Sequence, residues 1–177
     1  MQSLSQFTVH RAASRRLPAT RARLRPAAGV LAWLLALPAC AVDRLDGLEL
    51  QPLAVETAEG ARHELLVYVA RTDEQKRTGL MFVEALPPDR GMLFTYDPPR
   101  SVSIWMKNTL IPLDVLFVRS DGIIERIAAR AEPLSERRHE SGGDVGAVLE
   151  LNGGTTETLG IRAGDRLLHP WFSRSDR

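Results

Sequence analysis

The chain has 177 residues, 44% of them hydrophobic, 25% charged and 6% aromatic, a composition that fits an ordinary globular chain and excludes disordered and polytopic membrane classes. The formal charge of +1 conceals an asymmetry: the basic residues ahead of position 40 (Arg11, Arg15, Arg16, Arg21, Arg23 and Arg25) have no Asp or Glu among them, so the remainder carries 17 Lys/Arg against 22 Asp/Glu, a difference of −5. A domain of that sign repels a phosphate backbone, so nucleic acid is not an expected partner.

At the N-terminus three zones follow the order of a secretory signal. An Arg-rich zone runs to Arg25, and an apolar core follows over 27–37, about half of the roughly 20 residues that a membrane-spanning helix needs. It closes with Leu37-Pro38-Ala39-Cys40, which resembles the lipobox of bacterial lipoproteins. That resemblance implies that Cys40 is acylated, becomes the new N-terminus and tethers the protein to a membrane. Cys40 is the only cysteine, so it has no intramolecular disulfide partner, and a free thiol is usually avoided in an oxidising compartment. The alternative is an incidental thiol beside an ordinary cleavage site. Ala41 after the cysteine, by resemblance to sorting signals of diderm bacteria, implies the outer membrane, facing the periplasm. The expected organisation is a signal peptide over 1–39, a lipidated cysteine, tether and opening strand over 40–62, and a β-rich domain over 63–170.

An opening strand or hairpin is expected around 48–57. His63–Ala70 is rich in β-branched and aromatic residues and reads as a strand. Thr72 with Gln75 three residues on forms a capping box, which starts a short helix ending near Gly79. Met92–Tyr96 reads as a strand stopped by the turn Asp97-Pro98-Pro99. Residues 102–108 alternate imperfectly, and Leu113–Val118 is an almost continuous apolar strand. Ser120-Asp121-Gly122 supplies a hairpin turn into Ile123–Ile127. After a polar loop over 139–144 come a strand over Val145–Leu151, a one-turn helix over Thr155–Leu159 capped by Gly160, and a last strand after Gly164-Asp165. Short strands at close spacing with one or two short helices predict a mainly β fold: a compact antiparallel β-sandwich or barrel.

Five motifs occur in order: Gly79-Leu80-Met81-Phe82, Gly91-Met92-Leu93-Phe94, the stretch from Trp105 to Asp114, Ser141-Gly142-Gly143, and Gly160–Asp165. Together they resemble the domain-of-unknown-function family 192, over roughly 63–168. The resemblance implies a compact, often exported β-rich domain and implies no reaction, cofactor or substrate.

The chemistry-bearing residues gather in two places. Trp105, Lys107, Asn108 and Thr109 combine an aromatic, a cation, an amide and a hydroxyl, with Asp114 in the apolar strand that follows; His139 and Ser141 mark the polar loop. One reading is a ligand-binding or accessory module with a soft apolar pocket near 105–114, edged by Met81, Met92 and Met106 and holding a polar ligand end at Lys107 and Asn108. The other is an envelope hydrolase in which Lys107 and Asp114 act as a buried pair. A solvated Lys107 and an Asp114 that accepts backbone N–H bonds are the plainer alternatives. Ser101, Ser103, Ser135 and Ser141 lack a nucleophile elbow, and His63, His139 and His169 lack metal-ligand spacing, so no nucleophile, metal or cofactor is expected.

Overall fold

A strand whose apolar run is continuous rather than alternating must bury both faces, and Leu113–Val118 does so: all six residues are buried. Successive side chains of such a strand enter two different cores. The computed structural model that shows this describes residues 45–174; the expected signal segment and Cys40 lie outside the described residues. In chain order the elements are β1 (Glu49–Glu56), β2 (Arg62–Ala70), α1 (Asp73–Thr78), β3 (Arg90–Ile104), β4 (Leu113–Val118), β5 (Ile124–Ala131), β6 (His139–Asn152), α2 (Thr155–Leu159) and β7 (Arg166–Leu168), with a final 3-10 turn at Phe172–Arg174.

The fold is mainly β, as the sequence predicts. One seven-stranded sheet in the order β5-β4-β6-β3-β2-β1-β7 curls into a half-barrel. Its two edges meet at one end, where Ile123 bridges Arg166, the Ile124 N–H donates to the Asp165 carbonyl at 2.8 Å and the Leu167 N–H donates to the Gly122 carbonyl at 2.8 Å. Every pairing is antiparallel except β2 with β3, which are parallel because the chain between them crosses over through α1.

The two cores follow from this curl. The inner one draws on all seven strands, through Leu53, Val67, Leu93, Leu116, Ile124, Leu149 and Leu167. The outer one covers Tyr68, Met92, Phe94, Val115, Phe117 and Val148, and is roofed by Leu45, Leu80, Val83, Leu86 and Met106. The capping box forms as expected: the Gln75 N–H donates to the Thr72 hydroxyl, and the Gln75 side chain accepts from the Thr72 N–H.

Two expectations are corrected. Asp97-Pro98-Pro99 does not stop its strand; β3 runs on to Ile104 through a register shift between Thr95 and Arg100, a bulge that accommodates prolines lacking a ladder donor. Residues 139–144 are not a loop but the first half of β6, with Ser103 opposite Glu140 and Ile104 opposite His139. Neither segment carries a period of two, because register shifts interrupt the pairing of β3 with β6.

Gly91 shows how closely β3 and β6 approach. A Cβ there would meet the Glu150 carbonyl and a Leu151 methyl, each at 2.6 Å. Gly91→Ala is therefore expected to cost about 1–3 kcal/mol in urea unfolding, whereas Gly143→Ala, whose Cβ meets nothing within 4 Å, changes stability by less than about 0.5 kcal/mol.

Candidate functional site

The register of the sheet places one carboxyl between two apolar cross-strand neighbours. Across the outer face, Tyr68 pairs with Met92, Met92 with Glu150, Glu150 with Val115 and Val115 with Ala128. Glu150 stands in the middle of this row at 6% exposure, and among the described residues no group hydrogen-bonds its carboxyl. Burial pushes its pKa up to about 8, because the charged form has nothing nearby to replace water.

Above Glu150 lies a groove of about 580 Å³ between the last turn of α1 and the second half of β3. α1 ends at Gly79, whose φ of 48° lets the chain turn down beside the Phe94 ring; a Cβ there would meet that ring at 3.2 Å. Lys76 and Arg77 from α1 and Arg100 from β3 line the groove, with Tyr96 beneath them. The Lys76 ammonium is 5.0 Å from the centre of the Tyr96 ring and the Arg100 guanidinium 4.9 Å. Burial, and then the proximity of Glu150, push the Tyr96 phenol up to about 12 against the opposing effect of Arg100. Burial and the neighbouring Arg100 lower the Lys76 pKa, with Asp73 opposing.

Of the segment singled out in the sequence, Trp105 and Thr109 line this groove. Lys107 and Asn108 do not, for a local reason. Asn108 takes a left-handed conformation (φ 58°) that suits an amide side chain, the Thr109 N–H donates to the Met106 carbonyl at 3.0 Å, and the Phe82 N–H donates to the Asn108 carbonyl at 2.8 Å. The resulting tight turn lifts Lys107 to the surface, where its ammonium lies 5.1 Å from the Trp105 ring centre, beside Arg138 at 5.3 Å.

Asp114 is elsewhere and fully occupied. Its Oδ1 accepts from the Arg130 N–H at 2.8 Å and the Gly154 N–H at 2.9 Å; its Oδ2 accepts from the Thr156 N–H at 2.8 Å and the Thr156 hydroxyl at 2.7 Å. Burial alone would raise its pKa, but these four donors outweigh it and hold the carboxyl below the usual carboxylate range. Asp114 thus ties α2 and β5 to β4, and no ion pair joins it to Lys107. Ser141 is buried in β6, where its hydroxyl donates to the Gly143 carbonyl at 2.7 Å and accepts from the Val102 N–H at 3.0 Å. His139 sits opposite Ile104, its pKa lowered by burial and by Arg137 and Arg126.

Glu150 is the residue that sequence reasoning missed. Its signal is the one that drew attention to Asp114: a carboxylate inside an apolar strand, here between Leu149 and Leu151.

Fold and groove together define a half-barrel β domain with an outer-face cavity. The chain belongs to the domain-of-unknown-function family 192, described as Uncharacterized ACR, whose model matches residues 54–169. Two solved structures are similar to it. One is a protein of Sinorhizobium meliloti 1021 described as a candidate transcription regulator, 44% identical, with a TM-score of 0.67 and covering 68% of this chain and 94% of that one. The other, of unknown function, from Novosphingobium aromaticivorans DSM 12444, is 40% identical, with a TM-score of 0.68 and covering 70% and 88%. No curated protein matches the chain.

The two carboxyls make opposite predictions. The folded-state pKa of Glu150 is raised above the ordinary 4.5, so its contribution is fully present below 4.5 and is lost as pH rises through about 8. The stability difference between wild type and Glu150→Gln is expected to move against wild type by up to about 1.4 kcal/mol per pH unit between those values, read from chemical denaturation at successive pH values. Asp114, with its lowered pKa, contributes stability that is present above its unfolded pKa and lost in acid. Asp114→Ala leaves buried donors unpaired and is expected to cost about 3–5 kcal/mol at neutral pH.

Proposed function

We propose that the chain is an exported ligand-binding lipoprotein of the bacterial cell envelope. Residues 1–39 direct export, acylated Cys40 tethers the domain to the outer membrane facing the periplasm, and the groove beside α1 takes a ligand. The observation that carries the binding reading is Glu150: a carboxyl without a hydrogen-bond partner among the described residues, in the lining of an open groove. Leaving such a group unsatisfied in an apolar row costs stability, and concave ligand sites use a few groups of this kind to orient what they bind. Trp105 and Thr109 on the groove wall supply an aromatic face and a hydroxyl.

The hydrolase reading finds no support, since Asp114 already accepts four hydrogen bonds. The name of the Sinorhizobium meliloti protein refers to transcription, but the −5 charge of this chain beyond position 40 offers no electrostatic basis for holding DNA.

Intact mass of protein extracted from membranes tests the tether. A chain beginning at an acylated Cys40, and no acylation in Cys40→Ala, is the expected result; an unmodified full-length chain in the cytoplasm contradicts it. Native mass spectrometry of the same extract tests the groove. A small-molecule adduct is expected on wild type and not on Ser103→Trp, which fills the groove wall; no adduct, or one that survives the substitution, overturns the binding reading.

A further inference from the structure

Three cations, Lys76, Arg77 and Arg100, line the groove outside any ion pair among the described residues. Among the described residues, Arg62, Arg71, Arg119, Arg130 and Arg162 each form an ion pair with Asp or Glu, and none of those pairs includes Lys76, Arg77 or Arg100. Lys76 and Arg100 instead lie over one tyrosine ring, close enough for Arg100 to lower the Lys76 pKa. Like charges held this close are unfavourable until an anion joins them. Besides Glu150, the one acidic residue lining the groove is Asp73.

We propose that the groove is an oxyanion site that takes a phosphate monoester, its oxygens met by Lys76, Arg77 and Arg100 at the rim and by the Glu150 carboxyl at the floor. This rests on the reading of the groove as the ligand site. Three cations against Asp73, with Glu150 uncharged near neutral pH, give a local balance of about +2, which matches the −1.5 to −2 of a phosphate monoester better than the single charge of a carboxylate. The guanidinium forks suit paired phosphate oxygens, and the ammonium serves as a point charge. A protonated Glu150 donates its O–H to a third oxygen. The volume of about 580 Å³ leaves room for the organic part of the ester beside Met81 and Phe94.

Binding then depends on pH. The charged and titratable groups that line the groove with Glu150 are Asp73, Lys76 and Arg77 from α1 and Tyr96 and Arg100 from β3, and Tyr96 is close enough for Glu150 to raise its pKa. Tyr96, pushed up to about 12, stays neutral. As pH rises through about 8, Glu150 becomes an anion and repels the phosphate.

Calorimetric titration of the full chain in detergent tests this, with glycerol 3-phosphate and dihexanoyl phosphatidic acid as probes and glycerol as the uncharged control. Both phosphates are expected to bind and glycerol not, with Arg100→Ala weakening the phosphates about 10- to 100-fold. Glu150→Gln keeps a donor, so it is expected to bind within a few-fold of wild type at pH 7 and to lose the weakening above pH 8. A tenfold or greater preference for the diacyl probe identifies a lipid headgroup as the source; equal affinity identifies a soluble ester. Glycerol bound as tightly as its phosphate overturns the oxyanion assignment while leaving the groove a ligand site. Phosphate binding unchanged in Arg100→Ala, or absent altogether, overturns the assignment as well.

Discussion

An unpaired carboxyl in an apolar cross-strand row is the constraint on which the account of this domain turns. Glu150 stands between Met92 and Val115 on a sheet face that is otherwise covered by Leu80, Val83, Leu86 and Met106. Everything the cover does elsewhere is to exclude water. Over Glu150 it opens instead into a groove edged by the last turn of α1, and the rim is cationic where the rest of the chain beyond position 40 is acidic. A sheet face designed only for packing would place a leucine there, since a carboxyl in that position forgoes apolar burial and loses its hydration together.

Asp114, on the neighbouring strand, shows what a structural carboxylate looks like in the same fold. It is as buried as any residue of the core, yet both oxygens are filled by donors from β5 and α2, and its pKa falls where that of Glu150 rises. Desolvation acts on both; the difference lies in whether backbone N–H groups replace the lost water. One carboxylate fastens the C-terminal third to the sheet, and the other has no hydrogen-bond partner among the described residues.

Most of the fold was legible in the sequence, because the signals were local. The apolar run at Leu113–Val118, the capping box at Thr72 and the glycine after Leu159 each have a short-range cause, and each element stands where that cause places it. The errors came where tertiary pairing overrides local chemistry. Pro98 and Pro99 carry a bulged strand rather than ending one, and Ser141-Gly142-Gly143 lies within β6 at a second irregularity, between the pairs Ser103–Glu140 and Ser101–Asp144, with Gly142 left-handed at φ 80°. The site was legible only at its wall. Trp105 and Thr109 belong to it, but the left-handed turn at Asn108 turns Lys107 outward, and Asp114 is consumed by α2. Lys76, the β3 pair Tyr96 and Arg100, and Glu150 are separated from one another by 20 or more residues, and only the register of β3 with β6 and the return of α1 bring them together.

The most direct test of the central claim is a carbon-13 NMR titration of the Glu150 carboxyl, assigned by its loss in Glu150→Gln. A midpoint near 8 is the result expected for a buried carboxyl with no partner among the described residues. A midpoint near the ordinary 4.5 would show that water or a protein donor already satisfies it, and the groove would lose the group on which its ligand-binding role rests.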